Sequence, residues 1–466
     1  MKTGIKNMWT QSLGRTIKRL FAILILSSLS FSFSMAADWD IGGARQKVDS
    51  LAIVYQTRSE ELDQPDSLAN LGEYLRYAAL NSPSLKAAFH GWNAALEKTG
   101  YAGALPDPMF TFGYFIENVE TRVGPQEQRF SLKQAYPWFG TLGARKAVAG
   151  EAANVAFSKY QAEKLRLFYR VKSAYYRLYY LGREISLTRE NMTLLSFWES
   201  VVRTKYKVAL SQHPDVIKAQ VELGKFEDKL ASLEAMVKPV KAHLRASLNL
   251  PKSVYISLPS KVEISELPVN HDSVFARVVS ENPDLEALQH VIEKERAGVR
   301  LANKSSWPNF TFGVDYIQTG AALNPSLTDS GKDPWGVNVG VNLPIWFGKN
   351  KAKKQEALAR YRSSQNNLIE AENQAIAIAE RILFEYDDAL RKIRLYRDGL
   401  LPKAEQSLNA SYTAYQAGKT DFLNILDAQR LLLEFELHLE KSIVDLATRK
   451  AELEMITGSE FEISLE

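Results

Sequence analysis

The sequence predicts a mainly α fold with a small β part, in which a strand pair plus a long helical hairpin occurs twice. Three observations predict it. Phe110-Thr111-Phe112-Gly113 recurs as Phe310-Thr311-Phe312-Gly313, and Trp138-Phe139-Gly140 recurs as Trp346-Phe347-Gly348. Proline is missing from Trp138 to His213, from Ile345 to Leu401, and from Lys403 to the C-terminus. Helix interiors expel proline, which lacks the N–H and clashes with the preceding turn. Around the repeated tetrapeptides, apolar and polar residues alternate with the period of two that marks a strand.

The first element is an address. Lys2, Lys6, Arg15, Lys18 and Arg19 precede the apolar run Leu20 to Leu29, and Ser34-Met35-Ala36-Ala37 supplies small residues. That order is a secretory signal peptide over residues 1–36, and it predicts export. The run is shorter than the ~20 residues of a spanning helix, and an uncleaved anchor is the other reading. The leader also explains the charge. The chain carries 58 Lys+Arg and 54 Asp+Glu, a net of +4. With the leader's five basic residues set aside, 53 basic and 54 acidic groups remain. A near-neutral body removes the electrostatic argument for a nucleic-acid partner. A hydrophobic content of 45% with 24% charged residues excludes a mainly disordered chain. Cysteine is absent. Its absence excludes disulfides, thiolate metal sites, cysteine nucleophiles and a lipid anchor through an N-terminal cysteine. Beyond Ala37 no apolar run approaches 18 residues, so no helical membrane span is expected.

The duplication sets the order of the rest. At an offset of 200, Pro83 meets Pro283, Leu85 meets Leu285 and His90 meets His290. The offset becomes 208 at the Trp-Phe-Gly motifs, after a longer second loop around Asn324 to Pro334. It becomes 209 where Tyr206 and Ala219-Gln220 recur as Tyr415 and Ala428-Gln429. The first repeat, 37–270, is expected to hold strands at about 108–118 and 127–136 and long helices at about 141–209 and 214–249. The second, 271–466, is expected to hold strands at about 308–319 and 335–344 and helices at about 349–417 and 420–457. The helical stretches are rich in Ala, Leu, Glu, Lys, Arg and Gln, and their apolar residues recur every three to four positions, as in Leu165, Phe168, Val171, Tyr175 and Leu178. At 1.5 Å per residue, a helix of about 65 residues is roughly 100 Å long and needs coiled-coil-like packing.

The strands carry the membrane question. Val337, Val339, Val341 and Leu343 alternate with Gly336, Asn338, Gly340 and Asn342, and Phe310, Phe312, Val314 and Tyr316 alternate with Asn309, Thr311, Gly313 and Asp315. Such a pattern suits a soluble sandwich or a barrel wall in lipid. Trp138, Trp307, Trp335 and Trp346 sit at strand ends, as membrane-interface aromatics do. Four strands cannot wall a pore alone, because open edges in hydrocarbon leave backbone groups unpaired. Either the sheet is soluble or several chains close one barrel.

In this order and duplication the sequence resembles the TolC family of outer-membrane efflux channels, including its heavy-metal cation branch, from about Asp66 to Gly458. The marks are the duplicated Phe-Thr-Phe-Gly strands, Pro137-Trp138-Phe139-Gly140, Pro344-Ile345-Trp346-Phe347-Gly348, and the two helix turns Tyr206–Gln220 and Tyr415–Gln429. The resemblance implies a homotrimer whose strands close a twelve-stranded β-barrel on a long α-helical barrel. It implies equatorial segments at 250–270 and at the C-terminus, and a place in the outer membrane with a periplasmic extension. Partners would be a periplasmic adaptor (membrane fusion) protein, an inner-membrane pump and outer-membrane lipid. The function implied is a passive exit duct of a tripartite efflux system for small molecules or metal cations. An exit duct for type I protein secretion and a soluble periplasmic coiled-coil scaffold are the alternatives.

The same resemblance assigns roles at the turns. Val208, Ala209, Leu210, Ser211, Ala417, Gly418 and Lys419 correspond to the tips that meet the adaptor, although a tight helix connection explains Pro214 and Gly418 equally. Asp427 matches a pore carboxylate, and Asn424 stands where a second carboxylate is usual. Three converging copies of Asp427 would repel one another and attract cations. Asp215 and Tyr415 match a pair that ties the tip closed, and Thr420 stands in place of an arginine of that closing network. A solvated helix face is the plainer reading of each polar residue.

No enzymatic chemistry is expected. Gly418-Lys419-Thr420 imitates the end of a phosphate loop, but Thr413 occupies the position of the first glycine and a helix precedes it. HExxH, GxSxG and GxGxxG are absent. His90, His213, His243, His271, His290 and His438 are dispersed without ligand spacing, and Glu434 with His438 reads as a surface contact. No cofactor and no metal site are expected.

Overall fold

The computed structural model of the chain describes residues 41–61, 67–68, 70–209, 211–262, 270–324 and 326–458. The leader, its cleavage site, Leu210, residues 263–269 of the first equatorial segment and the last eight residues lie outside the described residues. The elements are α1 (Ile41–Glu61), β1 (Ser67–Leu68), α2 (Leu71–Asn81), α3 (Pro83–Ala102), β2 (Met109–Val119), β3 (Gln126–Tyr136), α4 (Thr141–Lys207), α5 (His213–Leu248), β4 (Tyr255–Ile256), α6 (His271–Glu281), α7 (Pro283–Lys304), β5 (Phe310–Thr319), β6 (Trp335–Val341), α8 (Phe347–Arg394), a π-turn at Leu395–Leu400, α9 (Leu401–Gln416) and α10 (Phe422–Thr457). They divide into two compact units, each drawing on both halves of the sequence.

One unit gathers residues 99–150 and 296–357. Its centre is an antiparallel sheet in the order β2-β3-β5-β6, so the strand pairs of the two repeats join along β3 and β5. The register sets two unlike faces. Phe112 lies opposite Phe130, Phe130 opposite Tyr316, and Tyr316 opposite Trp335. On the same face Leu132, Val314 and Val337 pair across three strands. This apolar face is uncovered: Phe110 is 64% exposed, Val337 66% and Trp335 71%. The other face is polar. Arg129 reaches Asp315 at 3.2 Å, and Asn338 donates a hydrogen bond to the same carboxylate, linking β3, β5 and β6. Glycine at 313 leaves room for these side chains: a Cβ would lie 2.5 Å from Asn338 Oδ1 and 2.9 Å from Lys133 Cγ, and both would have to shift. The outer edges of β2 and β6 have no strand partner among the described residues. β6 stops at Val341, short of residue 344, where Pro344 lacks an N–H for the ladder.

The loops at one end of this sheet are bonded to each other. Gly320 N–H donates to Pro125 O at 2.7 Å, and Gly331 N–H donates to Val123 O at 2.7 Å. Gly124 adopts φ +130°, and a Cβ there would sit 1.9 Å from Gly320 O. At the opposite end Trp138 stacks on Trp307, with ring centroids 4.9 Å apart. Trp346 follows β6 at this end, where Val341 pairs with Phe310, whereas Trp335 pairs with Tyr316 at the loop end. The four tryptophans therefore bracket the apolar face from both sides. Eleven-residue β3 spans about 33 Å along its axis at ~3.3 Å per step. A tilt of about 40° reduces that to roughly 25 Å, the height of a barrel's lipid band.

The other unit gathers Ile41–Lys98, Glu151–Glu295 and the chain from Leu358 onward. The duplication is plain in its short helices. Asn70 caps α2 by accepting from Glu73 N–H, and Asn270 caps α6 by accepting from Asp272 and Ser273 N–H. Pro83 and Pro283 open α3 and α7. Aromatic packing fixes α3 on α4: Trp92 stacks with Tyr160 at 5.9 Å and Phe89 meets both. A second core joins α6, α8 and α10 through Val278, Ile382, Tyr386, Leu446 and Leu453. Polar cross-links complete the packing. Glu440 accepts from Tyr179 O–H at 2.9 Å and Arg183 Nε at 2.7 Å, and Lys172 pairs with Glu454 at 2.5 Å.

The helix expected across 349–417 is broken by the π-turn Leu395–Leu400. Pro402 explains it. Its missing N–H leaves a carbonyl one turn back without a donor, and Leu401 N–H bonds instead to Tyr396 O, five residues away. Pro239 lies inside α5, and that helix continues through it.

Candidate functional site

The two helix turns lie in this second unit and are built differently. After α4, Ala209 takes the left-handed conformation at φ 59°. Gln212 then opens α5, with Pro214 in its first turn where no N–H is missed. Ser211 O–H donates to Asp215 Oδ2 at 3.1 Å, and the Tyr206 ring stacks on His213 at 5.2 Å. After α9, Gly418 takes φ +71°, and Lys419 N–H bonds back to Ala414 O at 2.9 Å. That six-to-one bond with a left-handed glycine is a Schellman ending. Asp421 then caps α10 by accepting from Asn424 N–H at 3.3 Å, and the Asn424 amide donates to Thr420 Oγ1. Val208, Ala209, Ala417, Gly418 and Lys419 are exposed, and Ser211 is half-buried.

Behind the turns, an apolar cluster holds the two hairpins together. Leu195, Trp198 and Val202 of α4 meet Val216 and Ala219 of α5, Tyr415 of α9, and Phe422, Ile425 and Leu426 of α10. Trp198 packs edge-on against Tyr412 at 4.8 Å, and Phe422 is fully buried. Lys205 joins hairpin to hairpin: its Nζ lies 4.0 Å from the Tyr415 ring centre and donates to Tyr415 O at 3.1 Å.

The expected Asp215–Tyr415 bond does not form within the chain. Asp215 is engaged by Ser211, and the buried Tyr415 hydroxyl has no partner in hydrogen-bonding geometry. Burial pushes the Tyr415 phenol up, the Ser211 hydroxyl beside it works the other way, and the Asp215 charge adds to the rise. The Tyr415 phenol thus sits beside Ser211 and Asp215.

Asp427 stands on an exposed face of α10, with 59% of its side chain accessible. It is not a lone carboxylate. Arg430, one turn on, reaches Asp427 at 3.4 Å while its other nitrogens bind Glu222 of α5 at 3.0 and 2.5 Å. Lys225 adds a third contact to Glu222 at 3.3 Å. The Arg430 hydrogen bonds are the main reason the Glu222 carboxyl is held below its ordinary value. Burial opposes them, and Lys225 assists. On α4, Glu199 is bonded by Arg203 and by Gln220 of α5 at 3.1 Å. Thus Asp427, Asn424, Thr420, Asp215 and Tyr415 all lie about the two turns, and the structure adds Lys205, Glu222 and Arg430 between hairpins. The i,i+3 spacing of Asp427 and Arg430 was visible in the sequence, whereas Glu222, 208 residues away from Arg430, carried no local signal.

Among the described residues no His/Cys/Asp/Glu group could hold a metal ion, and no helix is long and apolar enough to cross a membrane. Glu434 and His438 form a surface contact at 3.6 Å.

Residues 275–459 match the family described as Outer membrane efflux protein. The matched segment lies in the second half of the chain and takes in both turn-forming helices α9 and α10. The chain is 23% identical over 408 residues to Outer membrane protein TolC of Vibrio cholerae, an alignment covering 84% of this chain and 91% of that protein. It is 26% identical over 287 residues to Toxin and drug export protein A of Aggregatibacter actinomycetemcomitans, covering 59% of this chain and 62% of that relative's length. The outer membrane protein VceC of Vibrio cholerae has the same fold, with a TM-score of 0.71 at 18% identity over 84% of this chain and 97% of that one. The mainly α fold with one small sheet is thus the fold of that outer membrane protein.

Proposed function

We propose that three copies of this chain form the outer-membrane exit duct of a tripartite efflux assembly. The observation that carries the proposal is the sheet: an uncovered apolar face, a polar opposite face, and two edge strands without partners among the described residues. Water would penalise that face, and hydrocarbon would penalise those edges, at several kcal/mol for each unpaired backbone group. Three sheets joined β2 to β6 satisfy both demands, with twelve strands around a polar lumen. The helical hairpins then line a periplasmic passage. Their turns, where Val208, Ala209, Ala417, Gly418 and Lys419 are exposed, meet the adaptor, and an inner-membrane pump supplies the cargo.

The duct acts by opening, with no covalent step. In the trimer, Asp427, Asn424 and Thr420 face the axis, and Tyr415 and Asp215 lie between hairpins whose separation widens the passage. Arg430 offsets part of the Asp427 charge and favours cations less than a bare carboxylate ring would. Cargo choice lies with the pump, and small molecules and metal cations alike would pass. Two measurements test the proposal: fractionation of the exported chain, and conductance of the purified protein in planar bilayers. Recovery in the outer membrane with discrete channel steps supports it. A soluble periplasmic protein without channel activity would overturn it.

A further inference from the structure

The end of the sheet that carries Trp138, Trp307 and Trp346 is also strongly basic. The three adjoining segments 137–150, 297–309 and 342–355 contain Arg145, Lys146, Arg300, Lys304, Lys349, Lys351, Lys353 and Lys354 but no Asp or Glu. The fourth junction, 99–108, has only Asp107. None of these eight cations forms an ion pair among the described residues, in contrast to the paired charges along the helices of the other unit. Lys349, Lys351, Lys353 and Lys354 are exposed and follow directly on Ile345, Trp346 and Phe347, which are 59, 69 and 79% exposed. Four lysines in the first two turns of α8 also oppose its macrodipole, and neither α8 nor α4 has an acidic residue in its first turn. Fold stability gives no reason for this placement; an anionic partner does.

We infer that this basic band beside the tryptophan girdle docks the anionic phospholipid headgroups of the membrane leaflet on the helix side of the sheet. The inference rests on the reading of the sheet as a membrane wall. The chemistry is shared with interfacial segments elsewhere: aromatic side chains sit at the acyl boundary, and lysine stems extend along the apolar surface until the ammonium reaches a phosphate. Lys349 to Lys354 lie within about 11 Å of Phe347 along the helix axis, at 1.5 Å per residue. The Debye length at physiological ionic strength is about 8 Å, so Lys349 and Lys351 lie well inside it and the long stems of Lys353 and Lys354 bring their ammonium groups back toward the headgroups. The partner is phosphatidylglycerol-like rather than zwitterionic, because eight cations without counter-charges gain nothing from a neutral headgroup.

The test uses the full chain reconstituted in vesicles and the quenching of its tryptophan fluorescence by brominated lipids. Brominated phosphatidylglycerol and brominated phosphatidylcholine are compared at equal mole fraction. The expected result is a preference of about tenfold or more for phosphatidylglycerol at low ionic strength, reduced in about 0.5 M salt. K349Q/K351Q/K353Q/K354Q should lower the preference several-fold, and the four Lys→Arg changes should keep it. Equal quenching by both lipids, or a preference untouched by the glutamine changes, overturns the inference and leaves the membrane wall standing. Absence of quenching by either lipid fails the membrane wall itself. Loss of the preference upon adding millimolar inorganic phosphate would reveal a free-anion site and overturn lipid docking.

Discussion

Replacing Glu222 with Gln tests how the tip is held. In the native chain this carboxylate accepts from Arg430 at 3.0 and 2.5 Å and from Lys225 at 3.3 Å, so one buried acid joins α5 to α10. Charge-assisted bonds contribute about 1.5–3 kcal/mol each when buried. The Arg430 side chain is 46% exposed and water replaces part of what it loses, so the substitution should cost about 2 kcal/mol in total. The remaining Arg430–Asp427 contact at 3.4 Å is exposed and contributes little. Native-state hydrogen exchange reads this locally: amides from Phe422 to Leu433 should exchange roughly thirtyfold faster, at 1.4 kcal/mol per tenfold. The pH dependence has a fixed sign. Glu222 titrates below its ordinary value of 4.5 in the folded chain, chiefly through its Arg430 bonds. Its contribution is complete above the unfolded value and is lost as pH falls through the lowered one. The native tip should therefore loosen only under acid, while the Gln variant should show no Glu222-linked step. Unchanged exchange in α10, or an identical acid response in both proteins, would refute the reasoning.

Three further outcomes follow from the same geometry. Phe422→Ala empties the centre of the inter-hairpin cluster and should cost about 3–5 kcal/mol, read as a lowered thermal midpoint with the sheet intact. Gly313→Ala forces a methyl against Asn338 and Lys133 and should impair assembly of heat-resistant oligomer, and adding Asn338→Ala should restore part of it. In bilayers, Arg430→Gln should raise cation selectivity and Asp427→Asn should lower it, measured as opposite shifts of reversal potential.

How much was legible depends on how far apart the partners lie. The sheet follows from residues close in sequence: Phe110 to Gly113 and its copy at 310–313 fix which side chains share a face, because strand alternation is local. Asn70 and Asn270, each before its helix, mark paired starts for the same reason. The π-turn was not foreseen, since one unbroken helix was expected across 349–417. Pro239 shows the opposite outcome in α5, where tertiary packing carries the helix onward. Tip chemistry was half legible. Asp427 was singled out by the resemblance alone, and its pairing state depends on Glu222, which only the fold brings to Arg430. Within the chain Asp215 is engaged by Ser211, a contact four residues apart that the pairing expected of Asp215 and Tyr415 did not include.

The central claim is that neighbouring copies satisfy the free edges of β2 and β6. The chain contains no cysteine, so cysteines introduced pairwise on those strands report without background. Thr111 or Gly113 on β2 would be combined with Asn338 or Gly340 on β6, and the products of mild oxidation in native membranes resolved by size. The account predicts a covalent ladder that ends at three chains, with the strongest linkage at pairs in register. Monomer at every pair, or a ladder that continues past three, would contradict it.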